Sequence, residues 1–81
     1  MADVTYGRLE ETLKGLGFAL RGVEEKNKVY WHADTGALIT LPEFPAGDPV
    51  LTRHLVKVRG ILQAYEIADP LDFDAKLQLA S

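Results

Sequence analysis

The amino-acid order predicts an α+β domain with the element order α-β-β-β-α, a three-stranded antiparallel sheet with two main helices on one face and a short helix at the C-terminus. Three observations lead there. Apolar residues recur at helical spacing near each end of the chain, as Tyr6, Leu9, Leu13 and Leu16 and again as Leu51, Leu55, Val58, Leu62 and Tyr65. Between them, Lys28-Val29-Tyr30-Trp31-His32 and Ala37-Leu38-Ile39-Thr40-Leu41 alternate as strands do around the turn-forming Asp34-Thr35-Gly36. A third extended run, beginning at Phe18, is set off from them by the charged Glu24-Glu25-Lys26-Asn27.

Each element has a local reason. Thr5 is suited to cap a helix over residues 6–16, because its hydroxyl can accept from an orphan N–H of the first turn. Gly17 can end that helix, since a left-handed residue there suffers least without a Cβ. Glu10 precedes Lys14 by four residues and reads as a pair on the wet side of the helix. The first strand places Phe18 and Leu20 on one face and Ala19 and Arg21 on the other, and strands over 28–33 and 37–41 complete a meander with short connections.

Residues 42–49 hold three prolines and Gly47, and read as a connector, because proline cannot donate to a strand ladder. Asp48-Pro49 predicts the start of the second helix, with an acidic cap and a proline at the first helical position. Asp69-Pro70 repeats the signal before Phe73 and Leu77, whose short helix must dock or fray. The chain of 81 residues reads as one domain, its core over about 6–67 and a helix or tail over 68–81.

Composition narrows the function classes. A hydrophobic fraction of 47% and a charged fraction of 26% belong to a globular chain rather than a disordered one. Cysteine is absent, which removes disulfides, thiolate metal sites and thiol nucleophiles. The start Met1-Ala2-Asp3 has no export signal and no apolar run is long enough for a bilayer, so a cytoplasmic protein with no membrane partner is expected. Nine basic against twelve acidic residues give a net charge of −3, yet residues 50–66 carry Arg53, Lys57 and Arg59 against Glu66 alone. A basic helix therefore stands beside an acidic tail with Asp69, Asp72 and Asp74.

The hairpin is the segment richest in chemistry. Lys28, Tyr30 and His32 share one face of its first strand, and Val29 and Trp31 share the other. Trp31 is assigned to the core with Val29, because a small domain needs that bulk, which leaves Lys28, Tyr30 and His32 on an open sheet face. Tyr30 there can stack on an unpaired base or pack across the hairpin. His32 is a weak candidate for a general base, with a solvent-facing strand histidine as the plainer reading. Arg53 and Lys57, four residues apart on one helix face, suit a phosphate-binding stripe or a merely solvated surface. Neither His32 with Asp34 nor His54 with Asp48 makes a three-ligand set, so no metal is assigned, and no phosphate loop or other cofactor motif is present.

The leucine-rich first helix closing in Gly17-Phe18, Tyr30-Trp31, Asp34-Thr35-Gly36, Ile39-Thr40-Leu41-Pro42 and Val58-Arg59-Gly60-Ile61-Leu62 before Ile67 together resemble the HicA (YcfA-like) family of small toxin-like proteins. The match runs from about Tyr6 to Phe73. The resemblance implies a fold like the double-stranded-RNA-binding domain and, for active members, messenger-RNA cleavage restrained by an antitoxin of the HicB type. The family's catalytic histidine lies in a Gly-Ser-His motif at the start of the second strand; counting back from Gly36, its position falls at Lys28, and the motif reads Lys26-Asn27-Lys28. Lysine at its ordinary pKa of about 10.4 is protonated at neutral pH and cannot act as the base, though it can neutralise a phosphate.

The sequence thus points to a HicA-like RNA-binding domain of toxin–antitoxin type, with the enzyme question open and no cofactor. The rival is a non-catalytic protein-interaction module using the open sheet face. Lys28, Tyr30, His32, Arg53 and Lys57 are the candidate RNA- or partner-binding residues. Sheet edges can also pair between copies, so a homo-oligomer is a further expectation.

Overall fold

The computed structural model describes residues 4–78. The export-signal reading at residues 1–3 and the end of the 68–81 segment lie outside the described residues. The order is α1 (Tyr6–Gly15), β1 (Phe18–Glu24), β2 (Asn27–His32), β3 (Leu38–Pro42), α2 (Thr52–Ala64) and α3 (Pro70–Gln78). The strands form one antiparallel sheet in the order β1-β2-β3, so the α+β class and the meander are as expected. Leu9 and Leu13 of α1, Val58 and Leu62 of α2, and Phe73 and Leu77 of α3 join Phe18, Tyr30, Ile39 and Leu41 in one core on the helix side of the sheet.

Thr5 caps α1, its Oγ1 accepting from the Arg8 N–H at 3.3 Å. Gly17 ends it at φ +102°, and a Cβ there would also lie 3.0 Å from His32 Nε2. The β1–β2 turn is two residues long, since Glu24 pairs with Asn27. Glu25 and Lys26 both take positive φ, 50° and 66°, which the twist of a two-residue hairpin requires although neither is glycine. A bulge between Leu20 and Gly22 inserts Arg21 as the extra residue.

α2 begins at Thr52, later than Asp48-Pro49 predicts. The connector is instead held by the start of α1. Tyr6 N–H donates to Asp48 O at 3.0 Å, Gly7 N–H to Ala46 O at 2.9 Å, and Val50 N–H to Val4 O at 2.8 Å. The first two bonds satisfy orphan N–H groups at the head of α1, a tertiary gain that outweighs the local cap signal. Asp69 does cap α3, its Oδ1 accepting from Asp72 N–H at 3.0 Å. α3 docks on both α1 and α2, and Arg59 binds Asp74 across the α2–α3 contact at 2.9 Å.

The hairpin faces are the reverse of the expected ones. Tyr30 and His32 are buried, at 2% and 7% exposure, whereas Trp31 is 40% exposed. Register is the cause: Tyr30 lies opposite Ile39 and Lys28 opposite Leu41, while Trp31 lies opposite Leu38. The face that carries Ile39 and Leu41 must be the buried one, and it brings Tyr30 and His32 with it. The open face presents Trp31 and Leu38, with the Arg21 guanidinium 5.7 Å from the Trp31 ring centre.

Candidate functional site

A polar cluster forms where α1 crosses β2. The Tyr30 hydroxyl donates to Glu10 Oε2 at 2.6 Å, Lys28 Nζ lies 3.4 Å from the same oxygen, and Lys14 Nζ lies 3.3 Å from Glu10 Oε1. Glu10 is thus not on a freely wet side: its side chain is only 25% exposed and turns toward the sheet. The short bond from Tyr30 holds the Glu10 carboxyl below its ordinary pKa, against the opposing effect of burial, with Lys14 and Lys28 assisting. Burial first, and then the Glu10 carboxylate, push the Tyr30 hydroxyl well above its usual value. Two ammonium groups face one carboxylate, so the cluster carries an excess positive charge, and Glu10 fixes where Lys28 sits.

Beside it lies a cleft of about 50 Å³ between α1, the sheet and the connector, with Glu10, Lys28 and Tyr30 on one wall and Tyr6, Pro42 and Phe44 on another. The Tyr6 and Phe44 rings stack at 4.8 Å, and both approach His54 of α2. Tyr6 Oη and His54 Nδ1 are 2.8 Å apart, so the hydroxyl joins α1 to the first turn of α2. Burial, then Arg53 and Lys57, hold the His54 imidazole below its ordinary pKa.

The predicted site residues separate into three environments. Lys28 lines the cleft and Tyr30 contributes its hydroxyl from within the core. His32 is a brace: Nε2–H donates to Leu16 O at 3.1 Å, and Nδ1 bonds Thr35 Oγ1 at 2.9 Å, which leaves no ring nitrogen for a substrate. Arg53 and Lys57 are exposed on α2. Lys57 Nζ donates to Thr40 O on the β3 edge at 2.8 Å, and among the described residues neither cation has a carboxylate partner. Arg59, grouped with them by sequence, is neutralised by Asp74.

Glu10 and Tyr6 are the functional candidates that spacing alone did not reveal. Their roles depend on partners 20 and 48 residues away, and the local signal at Glu10, its spacing of four from Lys14, pointed to solvent rather than to the sheet. Among the described residues no group of three His, Asp or Glu side chains could hold a metal ion, and no helix is long and apolar enough to cross a membrane.

The fold and site define a small α+β domain with an acid-anchored lysine at a cleft and, on the neighbouring helix, a basic strip with no carboxylate partner among the described residues. No protein-family model, curated protein or solved structure matches the chain, so the HicA resemblance rests on the motifs alone.

Proposed function

We propose that this chain is a HicA-like RNA-binding domain of the toxin–antitoxin kind, in which Arg53 and Lys57 take RNA phosphates and Lys28 adds a cation from the cleft. The observation that supports it most is that Arg53 and Lys57 flank His54 with no carboxylate partner among the described residues, in a chain whose net charge is −3. Two cations one helical turn apart with no carboxylate beside them are available to phosphates, as a polyanion site needs. Lys28, at the position of the family's histidine, neutralises phosphate and does not act as a base. Tyr30 supports the site by holding Glu10, and its buried ring does not stack on bases.

Fluorescence anisotropy with a labelled oligoribonucleotide tests the reading. Lys57→Glu weakens binding and flattens the plot of log affinity against log salt by about 0.7 per lost phosphate contact. Affinity independent of salt, or unchanged by Lys57→Glu, contradicts it.

A second reading, a non-catalytic protein-interaction module, is favoured by the open sheet face, where Trp31 and Leu38 lie opposite each other at 40% and 47% exposure. Within the first reading, the same face is available to an antitoxin of the HicB type. Co-expression with a neighbouring gene product separates the two. Growth arrest relieved by that partner supports the toxin reading, and stable co-purification without any arrest supports the module.

A further inference from the structure

Tyr6 and His54 have no part in the phosphate contacts proposed above, yet they form a hydrogen-bonded pair of titratable groups. Tyr6 is only 8% exposed, its ring is stacked on Phe44, and its hydroxyl is 2.8 Å from His54 Nδ1. The imidazole is therefore oriented through one nitrogen. Its other nitrogen, Nε2, bonds no described residue, and because no buried side-chain nitrogen or oxygen lacks a partner, Nε2 reaches solvent. Arg53 is adjacent in sequence and Lys57 is one turn further along the helix. Among the described residues, the groups facing the ring are the Tyr6 hydroxyl from α1, the uncharged Phe44 ring from the connector, and Arg53 and Lys57 from α2 itself. None is anionic. Burial, then Arg53 and Lys57, favour the neutral ring, the form a base needs.

We propose that His54 is the general base of an RNA-cleaving transesterification, with Tyr6 as its positioning residue. The proposal rests on the RNA-binding reading above and supplies the base that Lys28 cannot. In the competent tautomer, Nδ1–H donates to Tyr6 Oη and the Nε2 lone pair faces the substrate. Nε2 takes the proton of a ribose 2′-hydroxyl, and the 2′-oxygen forms a bond to the adjacent phosphorus. The bond from phosphorus to the 5′-oxygen breaks, its electron pair stays on that oxygen, and a solvent water protonates it. The resulting hydroxide takes the proton from Nε2, so the balance closes. The products are a 2′,3′-cyclic phosphate and a 5′-hydroxyl end. Arg53 and Lys57 oppose the charge that builds on the non-bridging oxygens.

The experiment uses the purified full chain, an end-labelled oligoribonucleotide, and the same oligonucleotide with 2′-deoxyribose throughout. The wild-type protein cleaves only the ribose form and leaves cyclic phosphate ends. His54→Ala lowers the rate by about 10²- to 10⁴-fold with RNA affinity little changed, and added imidazole restores part of the rate. The wild-type rate rises with pH and levels off before neutrality, and Tyr6→Phe alters that profile while lowering the rate less than His54→Ala. Because His54 also ties α2 to α1, His54→Asn is measured alongside, and thermal melting identifies the variants that fold. RNA bound by the wild type but not cleaved, or cleavage undiminished in a folded His54 variant, overturns the proposal and leaves the binding reading standing. No RNA binding by the wild type overturns both.

Discussion

Replacing Tyr30 with phenylalanine removes one oxygen from the core and tests the cluster that anchors Lys28. The ring stays buried, so no cavity term enters, and the loss is the 2.6 Å bond to the Glu10 carboxylate. A hydrogen bond to a charged group contributes about 1.5–3 kcal/mol. Glu10 is 25% exposed and keeps Lys14 and Lys28, so water replaces part of the lost bond and the expected cost falls at or just below the bottom of that range, about 1–1.5 kcal/mol. The pH dependence gives the sharper result. Glu10 has a folded pKa below 4.5, so its contribution is fully present above that value and is lost as pH falls through the depressed folded pKa. The gap between wild type and Tyr30→Phe in urea unfolding should accordingly be widest near neutrality and narrow in acid. A stability unchanged at pH 7, or a gap independent of pH, would show that the hydroxyl is not bound to the carboxylate and that Lys28 is not anchored as described.

Trp31→Ala should cost less than about 1 kcal/mol, as an exposed site does, whereas Tyr30→Ala should cost about 3–5 kcal/mol, as truncating a buried aromatic does; acrylamide should quench Trp31 fluorescence readily in the folded state. Gly17→Ala should lower the melting temperature, because left-handed backbone costs a residue with a Cβ roughly 1–2 kcal/mol and the added carbon would lie 3.0 Å from His32 Nε2. Lys26→Gly should raise stability by about 1 kcal/mol in chemical unfolding, since it relieves a positive φ of 66° in the β1–β2 turn.

The elements were legible in the sequence because each was dictated locally: the leucine spacing of α1, the Asp34-Thr35-Gly36 turn and the Asp69 cap all act within a few residues. The faces of the hairpin were not. Alternation tells which side chains share a face but not which face is buried, and the size of Trp31 argued for the wrong one. Pairing the hairpin around its loop would have set Tyr30 beside Ile39, and the cleaner alternation of Ile39, Thr40 and Leu41 was the better guide. Asp48-Pro49 misled for a related reason, since its backbone serves α1 rather than α2. Arg53 and Lys57 were legible as cations, but only the fold separates them from the neutralised Arg59. Glu10 and the Tyr6–His54 pair arise from contacts between elements far apart in sequence.

Backbone amide chemical shifts followed by NMR during titration with an unstructured oligoribonucleotide test the central claim most directly. The RNA-binding account predicts salt-sensitive changes at Lys28, Arg53, His54 and Lys57, with little change at Ala19, Trp31 and Leu38. Changes confined to the Trp31 face, or none at all, would contradict it.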